Sequence, residues 1–504
     1  MRLLRTLVLF PLCVSASPLS ISKNGAYQQQ PLSSPLHFTL REQDDTLCAS
    51  GARQWTGTVN VTESRSMFFW YHESRNDPET DPVILWMSGG PGATGSFGMF
   101  KELGPCIVNR DGNSTRPRQF SWTNRANVLF IDQPIGTGFS TLTNRSTAAT
   151  SLAAGARDLH AFLSIFTTHV FPHTAGKPWH FAGESFGGRW TTAYAAHVLQ
   201  QQQQLPQQQE GSLLRIDSII AVAASIDMAW SSVGLYDFFC AGPSAPSPPL
   251  MNATACATMA AEMPACEEAG QKCRETRDGA VCERADARCQ ETVGRWFWEG
   301  VVPGGWDPYD SRHKCEEPPL CSDMNGGPAA EYLNRPWVQE RLGFANVSFE
   351  LIDFELNNRW AQSKNVYVPT TRELTWLLDE TNVRILFING NNDIIVCVPD
   401  IPRSLSRAKV AFRNTPGQLR MLDAQPWAHQ IEFQERSLRN WSYSEGVVDK
   451  ESSEERSGQW KGDGRLSIFT VDEAGHMVPH DQSEAVEALV GSWIFDEWHK
   501  RRNK

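Results

Sequence analysis

A basic balance is the first thing this chain of 504 residues lacks. Its 46 Lys and Arg are outnumbered by 57 Asp and Glu, a net charge of -11. That leaves no electrostatic basis for gripping a nucleic-acid backbone. After the first residues no run is long and apolar enough to span a bilayer. The basic end, Lys500-Arg501-Arg502-Asn503-Lys504, lacks the hydrophobic tail of a lipid-anchor signal. No two of the 12 cysteines stand as Cys-x-x-Cys, so the zinc reading of a cysteine cluster is disfavoured. Nucleic acid and a membrane anchor are therefore excluded as partners, no metal or cofactor is expected, and nothing in the sequence sets the oligomeric state.

What is present points to export. Arg2 and Arg5, the apolar stretch Leu7 to Val14 and Val14-Ser15-Ala16 have the three parts of a secretory signal, giving a signal peptide over 1–16. Cys13 falls inside it. Eight cysteines crowd between Cys240 and Cys321, a density that suggests a disulfide-stapled region. Cys48, Cys106 and Cys397 remain, so at least one mature cysteine is left free or pairs between chains. Asn60, Asn113, Asn144, Asn252, Asn346 and Asn440 each head an Asn-x-Ser/Thr sequon. The expected location is outside the cell, with an acidic vacuole as the alternative.

Residues 17–45 are polar and Gln-rich and read as a disordered lead or pro-segment. From Gln54 the chain reads as α/β. Met67 to Tyr71, Val83 to Met87, Val128 to Ile131, Trp179 to Ala182, Ile216 to Ala224, Val383 to Ile388 and Leu466 to Val471 are strand candidates. Ala148 to Phe166 and Ala193 to Gln200 have helical spacing. Alternation of this kind implies a mainly parallel sheet with helices on both faces. Gln200 to Gln209 and Ser442 to Gly464 read as surface loops, the second mobile. The division is a core over 46–229, an inserted cysteine-rich cap over 230–365, and the rest of the core over 366–499.

Chemistry centres on Gly183-Glu184-Ser185-Phe186-Gly187-Gly188. A Gly-x-Ser-x-Gly run between a strand and a helix lets the chain turn sharply with the serine exposed at the tip. A serine hydroxyl needs a base, and the base needs a group to orient it. Asp393 and His476 each follow a strand candidate, in the order expected after a serine elbow. His180, His429 and His480 compete for the base, and Asp379, Asp400 and Asp423 for the acid; order and strand-end placement favour Asp393 and His476.

Six blocks carry a resemblance: Phe68 to Ser74, Trp86 to Gly92, Ile131 to Ser140, the serine elbow, Asn389-Gly390 with Asp393, and Ala474 to Pro479 with Asp481-Gln482. In this order, between Cys48 and Trp493, they resemble the serine carboxypeptidases, fungal secreted members above all. The resemblance implies an α/β-hydrolase fold and an exopeptidase with Ser185 as nucleophile, His476 as base and Asp393 as its orienting carboxylate. It places the oxyanion hole at the amides of Gly90 and Phe186. It implies that Trp86, Ser88, Gly89, Glu102 and Glu184 receive the free C-terminus of a peptide. Two carboxyl groups beside an anionic substrate must share a proton, so activity is expected to favour acidic pH.

Four departures bear on substrate choice. Ser88 replaces an asparagine, Phe186 a tyrosine, and Ala93 a cysteine of a family disulfide; Ala224-Ser225-Ile226-Asp227 replaces a glycine-asparagine turn. The alternatives are an acyltransferase or esterase with the same three residues, and an inactive hydrolase-fold binding protein. The intact serine, histidine and aspartate argue against the last.

Overall fold

In a computed structural model the residues described are 38–204, 214–241, 251–296, 305–315, 321, 327–396, 411–412, 414–444, 447–449 and 456–497. The apolar runs become strands of a 13-stranded sheet. Its main strands are β1 (Phe38–Gln43), β2 (Gln54–Thr62), β3 (Arg65–His72), β4 (Val83–Met87), β5 (Asn127–Ile131), β6 (Pro178–Glu184), β7 (Arg215–Val222), β8 (Arg384–Gly390), β9 (Arg439–Ser444), β10 (Val447–Asp449), β11 (Gly458–Gly462) and β12 (Leu466–Val471). They lie in the order β1-β2-β3-β5-β4-β6-β7-β8-β12-β11-β9-β10. The centre, from β5 to β12, is parallel. Both flanks are antiparallel. Every residue of β4, β5 and β12 is buried, as a sheet covered on both faces requires.

Helices supply the covering layers. Gly95–Gly98 (α1) opens with Thr94 as its cap and runs on into a π-helical turn, Met99–Leu103. Leu152–Ile165 (α2) begins four residues after the expected Ala148, because the Ser151 side chain accepts from the Ala154 amide there. Gly187–Gln203 (α3) begins well before the expected Ala193: the glycine-rich elbow itself winds into the helix.

Between the neighbouring strands β7 and β8 the chain makes an excursion. It holds α4 (Met228–Tyr236), α5 (Ala253–Thr276) and α6 (Gly279–Glu291). Cys266–Cys289 and Cys273–Cys282 tie α5 to α6, and Cys240–Cys256 and Cys315–Cys321 staple the flanking segments. Cys48 pairs with Cys106 across 58 residues. Ala93, where the family disulfide would attach, instead forms an antiparallel bridge with Ile352. The Thr94 amide donates to Leu351 O at 2.9 Å and the Asp353 amide to Gly92 O at 2.8 Å.

Two expectations need correction. Phe38–Gln43, assigned to the disordered lead or pro-segment, form the edge strand β1, because their backbone pairs with Gln54–Val59 although every side chain but that of Gln43 is exposed. Parts of Ser442–Gly464, assigned to a mobile loop, pair as β9, β10 and β11. Trp441 and Trp460, both buried against Phe469, anchor them. The first residues of the glutamine tract, expected to be a loop, extend α3 to Gln203. The signal, the rest of the lead to residue 37, the second half of the glutamine tract, Cys397 and the C-terminal basic residues lie outside the described residues. No described helix is long and apolar enough to cross a membrane.

Candidate active site

The sheet order explains how residues far apart in sequence meet. Strands β4, β6, β7, β8 and β12 are consecutive and parallel, so their carboxyl ends open on one edge. Ser185 follows β6 with φ +65°, a left-handed conformation costly for a serine. The turn is pinned from both sides: the Ser185 amide donates to Val222 O at 3.0 Å, and its carbonyl accepts from Ser225 at 2.8 Å. The flanking glycines allow the backbones to touch. A Cβ on Gly187 would lie 2.4 Å from Met87 O, and one on Gly188 2.5 Å from Ala224 Cβ.

Asp393 follows β8 and His476 follows β12. Both are buried, and His476 Nδ1 lies 2.8 Å from Asp393 Oδ2. A carboxylate at this distance fixes the tautomer with its proton on Nδ1 and leaves Nε2 basic. Nε2 is itself buried and has no hydrogen-bond partner among the described residues.

The competitors are engaged in other pairings. His180 is buried within β6 and bonds Ser218 Oγ at 2.7 Å, while exposed His429 pairs with Glu432. His480 pairs with Asp481. Asp379 accepts from the Ala428 amide, Asp423 pairs with Lys461, and Asp400 lies outside the described residues.

Gly89 and Gly90 follow β4. A Cβ on Gly89 would stand 2.6 Å from Ser185 Cβ and 2.7 Å from the Phe186 nitrogen, so the two backbones lie in contact beside the serine. Among the described residues, neither the Gly90 nor the Phe186 amide donates to a protein acceptor. Two free amides beside a serine can bind the oxygen of a tetrahedral adduct. The Phe186 ring packs edge-on against Trp190 and Trp360.

Glu184 immediately precedes Ser185, and Glu102 rides on the turn Met99–Leu103; both are buried. The two carboxyl groups act on each other, and neither Glu102 oxygen has a protein hydrogen-bond partner among the described residues, so a proton held between the pair is the economical way to bury both. Burial pushes the Glu102 carboxyl up, opposed by its interaction with Glu184 and by the neighbouring His476, His480 and Arg118. Trp86 Nε1 donates to Ser88 Oγ at 3.0 Å, and Trp190 Nε1 to Ser88 O at 3.2 Å. The five residues assigned to a substrate carboxylate are thus split between the ends of β4 and β6 and one helical turn.

Sequence reasoning missed the segment that straps these loops together. Tyr309 O accepts from the His476 amide at 2.8 Å, and the Tyr309 ring lies 5.5 Å from the imidazole. Asn392 O accepts from Ser311, and Pro308 O from Ile394. Arg312 pairs with Asp310 and with Asp481 Oδ2, which in turn accepts from the Gly475 amide at 2.7 Å. Only the block containing Asp481 hinted at this; the partners on 307–312 have no motif of their own. Of the sequons, Asn113, Asn144, Asn252, Asn346 and Asn440 are exposed and Asn60 is half-buried.

The chain matches the family model described as serine carboxypeptidase over residues 46–496. It is 30% identical over 465 residues to carboxypeptidase Y of Schizosaccharomyces pombe, covering 90% of this chain and 43% of that protein. To carboxypeptidase Y homolog A of Aspergillus niger it is 27% identical over 452 residues, covering 89% and 73%. The chain therefore spans less than half the length of the S. pombe relative. Among solved structures, Kex1(Δ)p, a prohormone-processing carboxypeptidase of Saccharomyces cerevisiae, superposes with a TM-score of 0.68 at 21% identity, over 88% of this chain and 92% of that one.

Proposed function

Because the chain belongs to the serine carboxypeptidase family, we propose that it releases C-terminal amino acids from peptides through an acyl-enzyme on Ser185. The observation that carries the reading is the buried Glu102–Glu184 pair, adjacent in sequence to a serine that shares its sheet edge with the His476–Asp393 couple. In this reading His476 Nε2 takes the proton of Ser185 Oγ as the oxygen attacks the last peptide carbonyl. Asp393 keeps the imidazole oriented and stabilises its charged form. The amides of Gly90 and Phe186 receive the developing oxyanion. His476 then passes its proton to the departing amine, and water repeats the cycle on the ester.

The terminal carboxylate of the substrate meets Ser88, Gly89, Glu102 and Glu184, above the buried Trp86. Ser88 replaces an amide donor yet can still serve. Its oxygen is occupied as the acceptor of the Trp86 N–H, and its own proton has no acceptor among the described residues. A hydroxyl so oriented can donate to a carboxylate, which favours the peptidase over the acyltransferase or esterase reading. Binding also requires a proton on the glutamic pair, so we assign an acidic preference. Five disulfides fit an oxidising compartment, outside the cell or in a vacuole, with glycans at the exposed sequons.

The test compares release of the last residue from a peptide acid and from its C-terminal amide, using wild type and Ser185→Ala. Preference for the acid, lost in the variant, is the expected result. Hydrolysis of simple esters without exopeptidase activity would establish the esterase reading instead.

A further inference from the structure

Glu102 sits on a turn that is held at its carbonyl end by a buried arginine outside every motif above. Arg118 is 8% exposed. Its Nε donates to Gly104 O at 3.0 Å and its Nη2 to Phe100 O at 2.7 Å. These carbonyls bracket the Met99–Leu103 turn at the end where helical carbonyls lack partners. The Arg118 amide donates to Pro105 O at 2.8 Å, and Arg75 binds both Arg118 O and Pro105 O. Cys106, tied to Cys48, comes next. The turn is therefore fixed at its carbonyl end, while the Glu102 carboxyl it carries interacts with Glu184.

Charge completes the argument. The groups acting on Glu102 are Glu184 at the end of β6, His476 after β12, His480 on the short helix Val478–Asp481, and Arg118. The base role needs His476 neutral before attack. His480 is partly exposed, and its Nδ1 lies 3.0 Å from Asp481 Oδ1. Burial pulls the Arg118 guanidinium down to about 10, which leaves it charged throughout the acidic and neutral range. It is the permanent cation among these groups, and a bound peptide would add a further carboxylate to the two glutamic acids.

We propose that Arg118 is a positioning residue for terminal-carboxylate recognition, fixing the Glu102 turn and offsetting the negative charge gathered there. The inference rests on reading Glu102 and Glu184 as the carboxylate subsite.

The full chain carrying Arg118→Met, Arg118→Lys or Glu102→Gln is assayed from acidic to alkaline pH. Substrates are a peptide acid and an ester of the same acyl group whose alcohol bears no carboxylate. A serine-reactive phosphonate counts competent sites, so misfolded protein is discounted. Arg118→Met is expected to raise KM for the peptide acid and cut its kcat/KM relative to the ester about tenfold. Loss of the cation raises the Glu102 proton affinity, so the alkaline limb moves to higher pH. Arg118→Lys keeps the charge but cannot span both carbonyls: its alkaline limb stays near wild type while KM still rises. Equal losses on acid and ester per titrated site, or an unmoved limb in Arg118→Met, overturn the proposal. If Glu102→Gln leaves the acid-over-ester preference intact, the subsite reading itself fails.

Discussion

Trp86 Nε1 donates to Ser88 Oγ, and the direction of that bond fixes what Ser88 can do next. With its oxygen occupied, the hydroxyl points its proton away from the indole. Ser88→Ala removes that proton and leaves a buried N–H without an acceptor. It should raise KM for peptide acids and lower stability by about 1–3 kcal/mol, while ester substrates lacking a carboxylate keep their KM. Parallel peptide and ester kinetics, with a urea unfolding curve, decide it. An equal rise in both KM values would deny Ser88 a role at the carboxylate.

Asp393→Asn keeps the shape of the couple but not the charge that sets the imidazole tautomer. Its kcat should fall roughly 10⁴-fold with little change in KM. Ser185→Ala should abolish labelling by a serine-reactive phosphonate. Retention of labelling in Ser185→Ala would move the nucleophile elsewhere.

The strap over the His476 loop gives a third expectation. Asp481 joins Arg312 to the Gly475 amide, next to His476. Asp481→Ala should cost about 1–3 kcal/mol of stability. It should also lower kcat on the order of tenfold by loosening the imidazole, with KM nearly unchanged. Single-turnover acylation rates are the direct readout, and a wild-type acylation rate would refute it.

Buried titratable groups set how the fold responds to acid. Burial pulls His72 and His180 down to about 3, with Arg75 adding to it at His72 and Arg384 at His180. Each is therefore neutral in the folded state and contributes stability present above its ordinary value of 6.5, lost as pH falls toward 3. Asp132 has the opposite sign. Burial pushes its carboxyl up to about 7, against the amides of Phe139 and Gly95 that it accepts, so its contribution is present below 3.8 and lost as pH rises through 7. Between roughly pH 4 and 6.5 the unfolded chain gains a proton at each histidine and the folded chain keeps one at Asp132. Stability should rise with pH across that window, and His180→Gln should flatten the slope. Urea midpoints measured at several pH values check this; a midpoint that climbs toward acid would contradict it.

Cys48–Cys106 closes a loop of 58 residues beside the helical turn bearing Glu102. Replacing both cysteines by alanine should cost about 4 kcal/mol, on a chain-entropy account. Calorimetry of the double variant, with KM for a peptide acid, tests both the clamp and its bearing on Glu102.

Much of the centre was legible because it is locally encoded. Continuous apolar runs such as Val83–Met87 have one good solution, a strand buried on both faces. The serine elbow announces itself through glycines that only a close backbone approach requires. What failed to show was non-local. Phe38–Gln43 shows no buried apolar face, because it is held by backbone pairing and by polar side-chain contacts such as Gln43 to Thr56. The pairing of Trp441 and Trp460 over Phe469 is invisible until the strands are side by side. Tyr309 binds the His476 loop through a main-chain carbonyl, which no side-chain pattern reports. Arg118 resembles any surface arginine until folding brings the carbonyls of Phe100 and Gly104 within reach of its guanidinium.

The order of strands across the sheet has a consequence during synthesis. Ser185, Asp393 and His476 follow β6, β8 and β12, close together in the sheet order but far apart along the chain, and His476 emerges last. A nascent chain can build the elbow and α4 to α6 before it possesses His476. A partial product ending before β12 lacks His476, so on the proposed mechanism the acyl-enzyme must await the last strand of the parallel centre. The same wiring makes the fold rich in long-range pairings, and its maturation correspondingly slow.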